Sequence, residues 1–287
     1  MSSLGKTILE ITLSGVLLGS LYSLAAVGLS LIFGVLKIFN VAHGLILVLS
    51  AYINCFIMTQ FGLWLPLSVI LTISLVFCLG MIINKFAVYP FRRQSERVLL
   101  TTLCTGIIIE QSIYLVWGTT YLMTPYTVKW SINIFGVMLP IYRLDILTIT
   151  LAATFTLWIF LKKTSLGIAI QSTAQDEEAA MMCGVSTTQI WSLTFALSCA
   201  LAALAGTLLN LILMFTPVYG WEFTLIALAA VTLGGLGNVS RTVVSGLMLG
   251  IIEMLVAYFV SPSWRSIVFF LTILTTLIIR AGAVKRA

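Results

Sequence analysis

Residues 164–184 read TSLGIAIQSTAQDEEAAMMCG, a polar stretch in a chain that is otherwise mostly hydrocarbon. Three consecutive acids, Asp176, Glu177 and Glu178, cannot lie in a bilayer core, where each costs roughly 2.5 to 3.5 kcal/mol. The stretch is therefore an aqueous loop, and everything around it has to be read as membrane. Local signals inside it predict a short helix. Thr173 stands three residues ahead of Asp176 in the spacing of a capping box, the acids fill the first turn where the helix dipole favours them, and Gly184 supplies a left-handed stop. After the acids come small side chains, with Ala179 one turn from Cys183 and Ala180 one turn from Gly184. Such a face lets another surface approach the backbone closely.

Composition fixes the class of the rest. Of 287 residues 60% are apolar and only 8% charged, against about 25% charged in a soluble domain. The fold class is all-α and polytopic, with room for about eight spans of about 20 residues, one or two of them broken or re-entrant. No long hydrophilic segment remains for a second unit, so residues 1–287 form one transmembrane domain with an aqueous loop at about 164–188. The N-terminus lacks the basic, apolar and small-residue succession of a removable signal, so the first span is expected to be retained. Five cysteines without CxxC spacing, Cys55, Cys78, Cys104, Cys183 and Cys199, argue against a disulfide framework or a metal site. The net charge of +6 has its source in loop lysines and arginines and does not point to nucleic acid.

Apolar runs fall at about 8–35, 41–61, 64–85, 98–118, 143–162, 189–215, 223–236, 243–260 and 265–280. The run at 223–236 is too short to cross upright and ends in Gly234-Gly235-Leu236-Gly237, so a broken segment is expected there. With the acidic loop inside, eleven of the fifteen Lys and Arg side chains fall inside, and four, Lys6, Lys129, Arg143 and Arg265, fall outside. That bias supports a cytoplasmic loop and an external N-terminus. The longest outward loop, about 119–142, is flanked and filled by Trp117, Tyr121, Tyr126, Trp130 and Tyr142, rings suited to a membrane surface. It and residues 216–222 are open to either reading: interface anchoring, or reception of an external partner protein.

Intramembrane ionisable residues are few: His43, Glu110 beside Gln111, and Glu253. One histidine allows neither a metal cluster nor a Ser/His/Asp grouping, so a membrane-embedded enzyme lacks its parts. Glu110 and Glu253 are open to two readings, a proton relay in a stand-alone ion-coupled transporter or protonated bonds to neighbouring helices. Gly5-Lys6-Thr7 imitates the end of a phosphate-binding loop without the upstream glycine and strand that such a loop needs. Two glycine-interrupted regions, one per half, surround Asn40, His43 and Gly44 and comprise Gly234, Gly235 and Gly237 before Asn238. Paired interruptions point to a solute path, since unwound backbone at membrane depth is tolerated where protein or water meets it. Close helix packing through small residues is the competing reading, and it is the expected one for Ala200 through Gly206.

Glu178-Ala179-Ala180, followed after three residues by Gly184, resembles the ATPase-docking loop of bacterial ABC importer permeases. The resemblance extends over nearly the whole chain to permeases of the branched-chain amino acid type, carried by Phe39 through Gly44, Tyr89-Pro90-Phe91-Arg92-Arg93, Ser165-Leu166-Gly167 through Gly184, and Leu233 through Asn238. It implies a multi-pass subunit of the bacterial inner membrane, half of a path for branched-chain or other aliphatic amino acids, with urea or short amides as the alternative cargo. Implied partners are a second related permease, two cytoplasmic ATPase subunits that bind ATP and Mg, and an extracytoplasmic solute-binding protein, with no cofactor in this chain. Thr173, Gln175, Asp176, Glu177, Glu178, Ala179, Ala180 and Gly184 would couple to the ATPase. Asn40, His43, Gly44, Gly234, Gly235, Gly237 and Asn238 would lie near the path. Two departures stand out: Leu45 replaces a position that is often polar, and Arg280-Ala281-Gly282-Ala283 replaces the usual C-terminal motif.

Overall fold

The computed structural model of the chain describes residues 3–119, 121, 123–124, 131–134, 137–261 and 264–284. Among the described residues nine helices follow the apolar runs: α1 (Ser3–Leu36), α2 (His43–Phe61), α3 (Leu65–Ile83), α4 (Ser95–Trp117), α5 (Ile141–Lys163), α8 (Thr187–Leu209), α9 (Tyr219–Gly234), α10 (Val239–Phe259) and α11 (Arg265–Val284). Seven of these are long and apolar enough to cross a bilayer, while α9 has only 16 residues. The polar stretch holds two short helices, α6 (Ser165–Gln175) and α7 (Glu177–Met182). A feature the sequence reading treated as plain loop is a two-stranded antiparallel hairpin, β1 (Ser131–Ile134) paired with β2 (Val137–Pro140), in register Ser131 to Pro140 and Ile134 to Val137. Tyr126, Trp130 and Lys129 of that loop, and Lys285 and Arg286, lie outside the described residues.

Burial decides which helices are central. In α1 89% of the most apolar window is inside the protein, against 17% in α5, so α1 is the axis and α5 presents most of its surface to lipid or to another subunit. The axis pairs with α10 through glycines spaced four apart on both helices, Gly15 and Gly19 against Gly246 and Gly250. A Cβ on Gly246 would stand 2.6 Å from Ser23 Cα, and one on Gly250 2.6 Å from Gly15 O. Backbone meets backbone, as small residues permit in membranes. The Ser23 hydroxyl donates to Val243 O at 2.8 Å and Thr242 to Ser30 at 3.2 Å. Replacing Gly250 with Val is expected to lower the thermal midpoint of the purified protein by the equivalent of about 1–3 kcal/mol, the range for overpacked cores; an unchanged midpoint would show the seam to be yielding. Packing also explains Ala200 through Gly206: Ala202, Ala203 and Ala205 are buried, and a Cβ on Gly206 would lie 2.5 Å from Ser50 Oγ.

Along α8 the chain zips antiparallel to α3 and its continuation. Asn84 donates to Ser192 at 2.9 Å and the Tyr89 hydroxyl meets Thr188 at 2.5 Å. Helix α3 ends in a π turn (Asn84–Val88) and a 3₁₀ turn (Tyr89–Phe91) around Pro90, which has no N–H to continue the ladder.

Two segments return into the membrane. His43, the first residue of α2, holds Ala25 O through Nε2 at 2.8 Å. Ala25 lies eleven residues before the end of α1, roughly 16 Å back along that helix at 1.5 Å per residue. Residues 37–42 therefore climb back into the protein, turned at Lys37 by a φ of 53°, and α2 starts deep. Residues 210–218 do the same from the other end of α8. Asn210 donates to Thr124 at 3.0 Å, Tyr52 donates to Phe215 O at 3.3 Å, and Phe215 is fully buried. Helix α9 begins where that segment stops.

Candidate functional site

The two deep helix starts meet. Gly44 N donates to Thr224 Oγ1 at 3.0 Å, the Thr224 hydroxyl lies 3.2 Å from Val41 O, and a Cβ on Gly44 would fall on Gly220 O, Thr224 N and, at 2.6 Å, Thr224 Oγ1. Glycine at both 44 and 220 is what lets the N-terminal ends of α2 and α9 touch. The first-turn amides are already paired, His43 N with Asn40 O, Gly44 N with Thr224, and Tyr219, Gly220 and Trp221 N with the carbonyls of Thr216, Pro217 and Val218, while each end keeps about half a positive charge from its helix dipole. Glu110 on α4 closes the side of this junction by accepting from Trp221 Nε1 at 2.9 Å. Asn40 and His43 are fully buried here. A carbonyl only accepts, so the bond to Ala25 O places the His43 proton on Nε2. Asn40 Oδ1 accepts from Ala42 N at 3.2 Å, while Asn40 Nδ2 and His43 Nδ1 have no partner among the described residues. The junction thus combines two positive helix ends with one free side-chain donor, Asn40 Nδ2, and one free acceptor, His43 Nδ1.

The second glycine break sits elsewhere. Gly234, Gly235, Gly237 and Asn238 lie at the far end of α9, about 24 Å along a 16-residue helix. Gly235 and Gly237 have φ of 102° and 81°, Gly237 meets Gly34 near the end of α1, and Asn238 caps α10 by accepting from Arg241 N at 3.1 Å. The two breaks, paired in the sequence as pointers to a solute path, lie at opposite ends of α9. Gly220 and Trp221, read in the sequence as part of an outward segment, and Thr224 were not assigned to the junction because their partners, Leu45, Glu110 and Gly44, are more than a hundred residues away in sequence. Within residues 216–222, Pro217 and Gly220 are buried and Val218 is exposed. Gln111 is exposed on the face of α4 away from the junction, and Glu253 is buried on α10.

The polar loop keeps its predicted stop and changes its predicted start. Thr173 is buried inside α6, its hydroxyl donating to Ala169 O at 2.8 Å. Asp176 is the cap: its Oδ1 accepts from Glu178 N at 2.9 Å and Ala179 N at 3.0 Å, with extended backbone (φ −150°) making an elbow between α6 and α7. The exit is a Schellman motif, with Val185 N on Ala180 O at 3.1 Å, Gly184 N on Met181 O at 2.9 Å and Gly184 at φ 84°. Gly184→Val is expected to cost about 1–2 kcal/mol through this backbone angle alone, since open space surrounds the position; a helix content and melting profile equal to wild type would contradict it.

Helix α6 is held to the membrane part from behind. Gln171 donates to Leu161 O, Gly167 N to Thr164 Oγ1, and a Cβ on Gly167 would fall on α5 backbone. Ala180 faces inward at 4% exposure, while Glu178, Ala179, Cys183 and, at 88%, Met182 face out. A large apolar side chain on that rim is unusual for a solvated turn and suited to burial by another surface.

Comparison with known proteins agrees with this arrangement. The profile of the family described as "Branched-chain amino acid transport system / permease component" matches residues 11–277. The chain belongs to that family. It is a multi-pass membrane permease component of the ABC transporter type. The high-affinity branched-chain amino acid transport system permease protein LivH of Salmonella typhimurium is 27% identical, over 95% of this chain and 94% of that protein. A probable branched-chain amino acid transport permease protein LivH of Methanocaldococcus jannaschii is 24% identical over 90% and 83%. Among solved structures, PsaBC from Streptococcus pneumoniae in complex with Fab shares the fold at a TM-score of 0.53 and 12% identity, covering 94% of this chain and 90% of that one.

Proposed function

We propose that this chain is the membrane-spanning half of an ATP-driven importer for branched-chain amino acids, working in a bacterial inner membrane with a second related permease, two cytoplasmic ATPase subunits and an external binding protein. The observation that carries the reading is the α6–α7 elbow: a braced back, a rigid cap at each end of α7, and an outward rim of Glu178, Ala179 and Met182. A short helix fixed at both ends transmits displacement as a push. That push would reach α5 through α6 and α8 through the turn after Gly184. Names and substrates of the family relatives support the cargo class.

The α2/α9 junction is the gate in this reading, with Asn40, His43 and Gly44 at its centre and Gly234 through Asn238 at the inner end of α9. Single cysteines at Asn40, His43, Gly234, Gly235 and Asn238, in a background lacking the five native cysteines, are expected to react with small aqueous thiol reagents in at least one nucleotide state of the assembled complex. Uniform protection in every state would leave packing as their only role. Reconstituted alone, the protein is expected neither to hydrolyse ATP nor to accumulate solute. Uptake by the isolated chain driven by a proton or sodium gradient, and lost on Glu110→Gln or Glu253→Gln, would replace the proposal with a secondary transporter.

A further inference from the structure

At the end of the protein opposite the coupling loop, α1, the start of α5, the returning segment 210–218 and α10 enclose a cavity of about 390 Å³. That is within the range of small-molecule sites, about 300 to 1,000 Å³. Its apolar wall is Leu17, Leu18, Ile212, Leu213 and Met254. Two opposite charges, Glu10 on α1 and Arg143 on α5, line the same cavity together with Ser14. In a site bordered by hydrocarbon, opposite charges normally neutralise one another. Here Glu10 is exposed at the mouth and Arg143 half-buried, no ion pair joins them among the described residues, and the buried Nε of Arg143 has no hydrogen-bond partner there. A ligand that brings both a carboxylate and an ammonium matches the two charges together.

We propose that this cavity binds a free aliphatic α-amino acid as the zwitterion, with Arg143 on its carboxylate, Glu10 on its ammonium, and the leucine-rich wall on its side chain. The assignment rests on the import reading for its orientation and cargo class, and it adds a solute site within the permease itself. A guanidinium recognises a carboxylate in two-point geometry, and an aliphatic wall rejects polar side chains by leaving their groups unpaired. Simple anions, simple cations and fatty acids each leave one of the two charges unmatched. Position gives the site a role: Ile212 and Leu213 belong to the segment that descends to Gly220 at the α2/α9 junction, so a solute held here waits at the head of the way to the gate.

The test is equilibrium binding of labelled L-leucine to the full-length chain in nanodiscs of phosphatidylglycerol, whose headgroup carries no ammonium. Saturable binding is expected, with Arg143→Gln and Glu10→Gln each weakening it roughly 10- to 100-fold, the loss of one charge-assisted hydrogen bond. L-leucinamide, lacking the carboxylate, and 4-methylpentanoate, lacking the ammonium, are expected not to compete. Because that competition uses wild-type protein, it decides the matter even if a variant fails to fold. Displacement by either analogue as effectively as by leucine, or no saturable binding at millimolar leucine, overturns the site. So does displacement of leucine when phosphatidylethanolamine is added to the nanodisc, which would assign the two charges to a zwitterionic lipid headgroup. In the assembled transporter, ATP-driven leucine uptake indifferent to both variants overturns this site and leaves the import reading standing, whereas a complex that imports no branched-chain amino acid overturns the import reading itself.

Discussion

Ala179→Trp is expected to leave the permease folded and membrane-inserted and to abolish ATP-driven uptake. Ala179 is exposed on α7 and joins the Asp176 cap through its backbone N–H alone, which a side-chain change leaves in place, so the substitution is expected to change stability by no more than about 0.5 kcal/mol. The same position lies on the rim with Glu178 and Met182, where the ATPase would have to close to van der Waals distance. An indole there holds the two surfaces apart. Central interface positions cost about 2 kcal/mol or more when spoiled, which is roughly 30-fold in affinity. The expected pattern is therefore normal melting of the isolated chain together with loss of ATPase co-purification, or co-purification with hydrolysis that no longer drives uptake. Met182→Glu should act in the same direction by burying a charge. Glu178→Gln should be mild, because a rim-exposed ion pair contributes only about 0–1 kcal/mol. If Ala179→Trp assembles, hydrolyses ATP and transports like wild type, α7 is a solvated connection.

Gly44→Leu should fail in the opposite manner, through the fold of the gate and not through docking. The new Cβ would meet Gly220 O and Thr224 N, backbone atoms that no rotamer change can move aside. Pushing α9 away also breaks the bond from Gly44 N to Thr224 and loosens the contact between Trp221 and Glu110. Overpacking of this kind costs about 1–3 kcal/mol, and a buried hydrogen bond lost with its partner unsatisfied adds about 1–3 kcal/mol more. A fall in the melting temperature of the isolated chain is expected, with uptake lost even where the ATPase still co-purifies. Wild-type melting and uptake would show that the α2/α9 contact is not tight in the working protein.

The division between what the sequence made legible and what it did not follows the range of the interactions. Helices α1, α2, α4, α5, α8 and α10 are legible because hydropathy is a property of each residue and sums along the chain. The exit of α7 is legible because Gly184 acts on its immediate neighbours. The start of α7 was misread because Thr173 and Asp176 both suit a cap, and the choice depends on α6 continuing through Thr173 while Gln171 ties it to α5. The junction was only half legible. Glycine breaks announce unwound backbone, but that Gly44 meets Thr224 across 180 residues, and Glu110 meets Trp221 across 111, is tertiary information. The returning segment 37–42 is marked in the sequence by the gap between two apolar runs and the nearby glycines, but its depth is not, since that is set by where His43 finds Ala25.

The central claim is that α7 converts ATP closure in partner subunits into leucine movement through this chain. The most direct measurement is ATP-dependent uptake of labelled L-leucine by proteoliposomes holding this chain, its second permease, the ATPase and the binding protein, compared between wild type and Ala179→Trp at equal protein content. The account predicts concentrative uptake that requires ATP in wild type, and none in the variant although each permease chain is folded and inserted. Uptake that proceeds without ATP on an ion gradient, or that survives Ala179→Trp undiminished, would contradict it.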